Sequence, residues 1–516
     1  MREGARDGGL PTAGGGMSRR QLLATAGVVA LSGAVAACSS GGTTSPRRRV
    51  LPNDPVVAAS ERTRLEADGG TLRSFALTAE PATIDLGGVM VPTWTYGAAV
   101  PGREIRVRQG ERLRVDVSNA LPDPTSVHWH GLAIRNDMDG VAGLTQQPVV
   151  AGKSQRYEFV VPDAGTYWFH PHVGTQLDRG LYAPLIVEDP ADGAAYDDEW
   201  VLVVDDWIDG TGTPATTPDT VLAGLRQDGM SAMGGMDGMT PASASEPLGS
   251  DTGDVVYPYY LINGRLPIAA DSRTVRAGQR IRLRLINAGG DTAFRIGIPG
   301  VPMTITHTDG FAVEPTSREA ILLGMGERVD AIITVPPSTT PILAIAEGKT
   351  GSAQAVLKVA GSSLGDTGGA LAKLAASEPF DSARTAAVTA VRLSQKAPDV
   401  RHELVLGGPD GQYNWTINGR GYDPARGLPV VQGQRVRLTF TNQTGMFHPM
   451  HLHGHTFQVR PTGGGAGPRK DTVLVLPGAS VDVDFDADNP GQWLTHCHNI
   501  YHGEAGMMTV VSYMST

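Results

Sequence analysis

The run HCHNIYHGEAGM, residues 496–507, gathers His496, Cys497, His498, His502 and Met507 into twelve positions. One thiolate, an imidazole five residues on and a thioether five beyond that supply the soft ligands of a blue, type 1 copper, which needs one more, distant histidine. The candidate is His448, the first residue of HPMHLHGH at 448–455. On an extended strand successive side chains alternate, so His496 and His498 point away from the face that carries Cys497. They must serve other metals.

Working outward, three more pairs share the strand period of two: His128 and His130 in HWHG, His170 and His172 in HPH, and His451 with His453. Ten of the 13 histidines therefore fall into four tight clusters, leaving His307, His402 and His455 outside. A single His-x-His pair is ordinarily a solvated strand. Four clusters together with a cysteine make a metal centre the better reading.

The chain also repeats itself. Gly110 to Asn119 in VRQGERLRVDVSNA, Gly278 to Asn287 in VRAGQRIRLRLINA and Gly433 to Asn442 in VVQGQRVRLTFTNQ share Gly, then Arg two residues on, alternating apolar positions, and Asn. The alternation is that of a half-buried strand. A second element recurs in GKSQRYEF (152–159), GERVDAII (326–333) and GASVDVDF (478–485). Beyond it, Phe159, Gly165 and His170 are spaced like Phe485, Gly491 and His496, so HPH and HCH occupy equivalent strand ends; the middle copy has no histidine there.

Three copies of a strand-rich unit predict an all-β chain of three Greek-key β-sandwich domains, and the blue-copper ligands imply the cupredoxin version of that sandwich. The expected bounds are 50–190, 195–362 and 386–516, with an Ala-, Gly- and Ser-rich linker at 363–385 that reads equally as a helix. The length of 516 residues agrees, at about 150 residues per domain. Because the first and third copies each contribute two histidine pairs, they must face one another, with the middle copy as spacer. His307, in HTDG, reads as a hydrogen-bonded loop or core histidine.

Near the N-terminus, Ser18-Arg19-Arg20-Gln21-Leu22-Leu23 precedes an apolar stretch ending in Val35-Ala36-Ala37-Cys38, the pattern of a twin-arginine signal peptide (1–37) with a lipobox. The apolar stretch is shorter than the ~20 residues of a spanning helix. Cys38 then carries lipid as the first mature residue, and Cys497 is left without a disulfide partner, there being only 2 cysteines. Residues 38–49 read as a flexible tether, with Arg47 to Arg49 a solvated charge run or a contact to anionic headgroups. Met17 is an alternative start. The expected location is the outer face of the cytoplasmic membrane, with the lipid as the sole membrane contact. Net charge is -10, and removing residues 1–37, with four basic and two acidic side chains, leaves -12, which argues against a nucleic-acid partner.

At these motifs the chain resembles the multicopper oxidases, the family of laccases, bilirubin oxidases and periplasmic cuprous oxidases; all four histidine motifs stand in family order. The resemblance implies four copper ions. Type 1 copper takes His448, Cys497 and His502, with Met507 axial in preference to Met508. Type 2 copper takes His128 and His451. The type 3 pair takes His130, His170 and His498 on one ion and His172, His453 and His496 on the other. It further implies that O2 is reduced to water with electrons passed from type 1 copper along His-Cys-His, and that Asp139, in DMDG, assists protonation; an Asp-Gly turn is the other reading of that residue. Relatives carry a Glu directly after the second type 1 histidine. Here Gly503 stands there and Glu504 follows.

The clue to substrate is a period of three in Met230, Met233, Met236 and Met239. Thioethers prefer Cu(I), and Gly234, Gly235 and Gly238 oppose the alternative of a buried helix face. The reading is an oxidase of Cu(I), of phenolic substrates, or of both, with the cuprous oxidases of copper tolerance as the nearest functional analogy. A laccase-like phenol oxidase is the alternative, and a non-catalytic copper-binding or electron-transfer protein is disfavoured by the full histidine set. Three domains suffice for one complete site, so a monomer is expected.

Overall fold

The computed structural model describes residues 47–515 apart from 69, 194, 229–244, 246 and 250. The leader, Cys38 and Met230, Met233, Met236 and Met239 lie outside the described residues. Strands dominate, arranged in six sheets that pair into three successive cupredoxin-like β-sandwiches.

Each copy of the sequence repeat builds the same local structure. The strands Arg112–Asn119, Arg280–Asn287 and Arg435–Asn442 pair in parallel with Leu72–Asp85, Asp198–Trp207 and Val400–Gly407. On the other side they run antiparallel to Ser154–Val160, Arg328–Thr334 and Ser480–Asp486, the second repeated element. The glycines that open the copies, Gly110, Gly278 and Gly433, sit at φ of 80°, 79° and 88°, where a Cβ would be strained.

The repeated asparagine is a buried latch. Asn119 donates through Nδ2 to the carbonyls of Asp123 and Val149 and accepts from the Leu121 N–H. Asn287 does the same with Thr292, Leu323 and Gly289, and Asn442 with Met446, Val475 and Thr444. One amide thus satisfies the backbone polar groups freed where the chain leaves its strand, groups that would be costly to bury unpaired.

The second sheet of the first sandwich runs Ile105–Arg108, Ala183–Glu188, Gly165–His170, His128–His130. In the third it runs Leu428–Val430, Met508–Tyr513, Gln492–Cys497, His448–Leu452, Thr472–Val475. The histidine motifs are therefore direct strand neighbours: His128 opposes His170, and His451 opposes His496.

The middle strand Arg280–Asn287 departs from the expected alternation, being buried on both faces after its first residue. Its Arg282 and Arg284 converge on buried Asp330, which also accepts from Thr166 Oγ1 of the first sandwich at 2.7 Å. Buried charge is tolerated because it is paired and hydrogen-bonded.

Two segments read as connectors are ordered parts of the body. At the end of the expected tether, Arg49 bridges Met514, and its guanidinium donates to Gln492 Oε1 at 2.6 and 2.9 Å. Arg48 and Val50 bond to Ser515 and Tyr513, so residues 48–50 belong to the edge of the third sandwich, against the reading of this stretch as free and solvated. In the expected linker, Thr367–Ala375 is a helix capped by the Asp366 carboxylate, and Pro379–Asp381 adds a strand to the middle sandwich. The helix is the alternative that the composition of 363–385 left open, capped within the segment itself, whereas the contacts of 48–50 and the strand pairing of 379–381 depend on partners far along the chain.

Candidate metal centre

Cys497 ends the strand Gln492–Cys497 with its thiol buried. Sγ lies 3.6 Å from His448 Nδ1 and 3.6 Å from His502 Nδ1, and the two nitrogens are 3.1 Å apart. His502 rides on the short helix Ile500–Glu504, whose first turn is held by the Asn499 side chain accepting from the Tyr501 and His502 N–H groups. Met507 is fully buried, and the Cys497 N–H donates to its carbonyl at 3.0 Å, folding it back onto the thiol strand.

The remote nitrogens of both imidazoles are occupied. His448 Nε2 lies 2.8 Å from Thr444 Oγ1, and His502 Nε2–H donates to Asp254 Oδ2 at 2.8 Å, where the Tyr413 hydroxyl also donates. Burial opposes a charge on His502, yet the hydrogen bonds to Asp254 and Cys497 carry its pKa up to about 10. Trp415 stacks on His502 with ring centroids 3.9 Å apart and meets His448 edge-on. Each Nδ1 is thereby left for a metal while second partners set ring orientation.

A second group forms between the first and third sandwiches. His128, His130 and His451 place one ring nitrogen each within 4.8 Å of one another, as do His130, His170 and His498, and again His172, His453 and His496. His453 Nε2 and His172 Nε2 stand 3.1 and 3.4 Å from His496 Nε2. Around this group, among the described residues, the inward His128 Nε2, His130 Nδ1, His170 Nε2 and His451 Nε2 lack any hydrogen-bond partner, and His498 has none on either nitrogen.

Except on His498, the outward nitrogens of these rings are tied down. His128 Nδ1–H donates to the Asp139 carbonyl, His170 to Pro171, His496 to Cys497 and His451 to Asp471. His130 instead uses Nε2–H, toward Asp471 Oδ1 at 3.1 Å. A carbonyl can only accept, so each bond fixes the tautomer that turns a lone pair inward. Burial, reinforced by neighbouring imidazoles, lowers the pKa of His170, His172, His453, His496 and His498, favouring the neutral, ligating form. Orphaned lone pairs converging from clamped rings, beside a thiol with two imidazoles, fit copper.

Asp139 spans the second group: its carboxylate accepts from His453 Nδ1–H at 3.1 Å while its carbonyl holds His128. Gly140, at φ 83°, supplies the turn after it and packs against the Val127 carbonyl, so the Asp-Gly turn reading of DMDG is met. Glu504 lines a narrow cleft with His170, His172, His496 and His498, which Met508 also borders. Its pKa is pushed up to about 7, by burial chiefly, against the pull of Arg226.

The three histidines left outside the clusters place no ring nitrogen in either group, although His455 Nδ1–H donates to the His453 carbonyl at 3.1 Å. His307 meets Arg282 and Thr306, His402 donates to Pro429, and His455 bonds Tyr513. Residues that motif spacing missed are Asp471, Asp254, Thr444 and Trp415, which orient rather than constitute the two groups. Only Thr444, four positions before His448, carried a local signal.

Three family profiles described as multicopper oxidase match residues 78–192, 240–362 and 395–515. The multicopper oxidase MmcO of Mycobacterium tuberculosis is 46% identical over 449 residues, covering 86% of this chain and 88% of that protein. Copper resistance protein A of Escherichia coli is 27% identical, over 85% of this chain and 92% of its own. Among solved structures, a multi-copper oxidase from Pseudomonas thermotolerans superposes with a TM-score of 0.65 at 26% identity, over 86% of this chain and 100% of that one.

Proposed function

Because the chain belongs to the multicopper oxidase family, and is thus a copper-dependent oxidoreductase, we propose that it takes electrons from Cu(I) at His448, Cys497, His502 and Met507 and uses them to reduce O2 to water at the eight-histidine group. The reading assigns one ion to the thiolate group, one to His128 and His451, and a pair to the remaining six histidines. Copper at the four positions together would supply the four electrons that O2 requires, three from the ions held by the histidines and the fourth from the ion at the thiolate, each exchanging one electron.

The chain's own parts in this are distinct. Cys497 shares a strand with His496 and peptide-bonds to His498, a short covalent path between the groups. Asp139 and Glu504 are the carboxylates assigned to proton delivery, one on His453 Nδ1 and one in the cleft leading inward.

The observation that carries Cu(I) over a phenol is the closure of the thiolate group. His448 and His502 are fully buried, their Nε2 atoms are taken by Thr444 and Asp254, and Trp415 covers the ring face. A bulky ring has no imidazole edge to stack on, whereas a small ion needs only donors nearby. The segment carrying Met230, Met233, Met236 and Met239 is proposed as its collector. Of the described residues flanking it, the helix Pro218–Asp228 precedes it, with Arg226 donating to the Glu504 carbonyl, and Ser245 follows it, donating through Oγ to Glu347 Oε1 at 2.5 Å. A role in copper tolerance follows, as the name of the Escherichia coli relative suggests for that protein.

Oxygen uptake by the copper-loaded chain with Cu(I) and with a simple phenol tests this, against a variant with all four methionines changed to Ser. Fast Cu(I) oxidation that falls selectively in the variant supports the reading; faster phenol turnover, unchanged in the variant, replaces it with a laccase-like oxidase. Export by the twin-arginine route and a lipid on Cys38 are part of the proposal. Release of the protein from membranes by Cys38→Ser checks them. A monomer is expected by sedimentation.

A further inference from the structure

The middle sandwich contributes no histidine to either group, yet one of its turns forms a wall of the histidine cluster. Gly326, at φ 84°, lies so close that a Cβ there would fall 2.7 Å from the His498 ring and 3.1 Å from His130 Cε1. Two residues on, Arg328 opens the strand Arg328–Thr334 and is wholly buried. Its Nη1 and Nη2 donate to the two oxygens of Asp471, in the third sandwich, at 2.7 and 2.6 Å. Nε donates to the Thr166 carbonyl of the first sandwich at 3.0 Å. One guanidinium therefore touches all three sandwiches.

Asp471 is the acceptor on which two cluster histidines turn. Oδ1 takes the His130 Nε2–H at 3.1 Å, its carbonyl takes the His451 Nδ1–H at 2.9 Å, and Thr472 Oγ1 donates to Oδ1 as well. Asp309, from the same middle sandwich, holds the backbone of this segment by accepting from the Asp471 and Thr472 N–H groups at 3.2 and 3.1 Å. On the far side, Gly131 follows His130 directly: a Cβ there would lie 2.4 Å from Arg328 Nη2 and 2.7 Å from Asp471 Oδ2.

We propose that Arg328 is a positioning residue for the histidine cluster, the middle sandwich acting through its two-point grip on Asp471 to fix the tautomer and direction of His130 and His451. The physical ground is geometric. A carboxylate held at both oxygens by a planar fork cannot rotate, whereas a lysine in its place offers one point of charge and leaves the carboxylate free to swing. Partners one shell out from a metal typically set ~10–100-fold of its affinity.

The proposal rests on the ligand assignment above, and the experiment separates the two. Copper content and electron paramagnetic resonance are compared in the full chain, Arg328→Lys, the isosteric Asp471→Asn, and Arg282→Lys, a buried middle-sandwich arginine that touches no cluster histidine. Release of copper to a chelator is followed alongside, with the blue thiolate absorption as internal reference. Expected in Arg328→Lys and Asp471→Asn is ~10-fold easier loss of the non-blue copper, with altered type 2 resonance, while the blue absorption and Arg282→Lys match wild type. Wild-type behaviour in both Arg328→Lys and Asp471→Asn overturns the positioning role. So does loss of blue and non-blue copper in step, which would mark a folding residue. A wild-type chain without non-blue copper overturns the ligand assignment itself, and the positioning role with it.

Discussion

Replacing Asn442 by Ala tests the latch that recurs in all three sandwiches. The substitution strands the Val475 carbonyl and the Thr444 N–H in a site where Asn442 is 1% exposed, while the Met446 carbonyl keeps Thr444 Oγ1 as a donor at 3.0 Å. At ~1 kcal/mol for each group left unpaired, the low end of the range, the cost is about 2 kcal/mol. For a cooperative unit of about 150–250 residues that corresponds to a melting point lower by roughly 4–8 °C. Asn287→Ala strands the equivalent Thr292, Leu323 and Gly289 groups and is expected to cost about 3 kcal/mol. The two differ in function. Asn442 Oδ1 also accepts from Thr444 Oγ1, which in turn faces His448 Nε2, so Asn442→Ala frees a ligand ring that Asn287→Ala leaves alone. Thermal melts followed by tryptophan fluorescence and by blue absorption should show both variants destabilised, Asn287→Ala the more, with the blue band weakened at room temperature in Asn442→Ala alone. A melting point within a degree or two of wild type, or equal bleaching in both, would refute the reasoning.

Three further outcomes follow from the same contacts. For Asp330, burial would raise the pKa, but Arg282 and Arg284 outweigh it and hold the carboxyl at about 2. The resulting stabilisation, on the order of 2 kcal/mol, is complete above the unfolded value near pH 4 and lost as pH falls to about 2. The denaturation gap between wild type and Asp330→Asn should therefore narrow across that window; a constant gap contradicts it. Asp254→Ala removes the acceptor of His502 Nε2–H and Tyr413, and chelator titration of the blue copper should show ~10-fold weaker binding with the non-blue copper unchanged. Gly131→Ala, at φ 88°, drives a methyl into Arg328 and Asp471, and about 1–3 kcal/mol of backbone strain adds to that clash, so urea unfolding should shift to lower concentration.

The ligand groups were legible because their information is local: histidines two apart on a strand, a cysteine between two of them, and a repeat whose glycine and asparagine recur at fixed offsets. Their orienting partners, Thr444 apart, were not, since nothing near a motif announces them. Arg328 and Asp471 are 143 positions apart, and His502 and Asp254 are 248 apart. Asn119, Asn287 and Asn442 fall between these cases: the pattern shows that they recur, and only the folded loops show why. Arg49 illustrates the opposite failure. Three consecutive arginines beside a flexible stretch look solvated, and a glutamine 443 positions away decides otherwise.

That last contact constrains how the molecule is made. Residues 48–50 find their partners at Gln492, Tyr513 and Ser515, so the edge they complete stays open on the ribosome until nearly the whole body has been synthesised. Closure of the sheet is thereby a late, end-to-end event, in which the first described residues wait for the last.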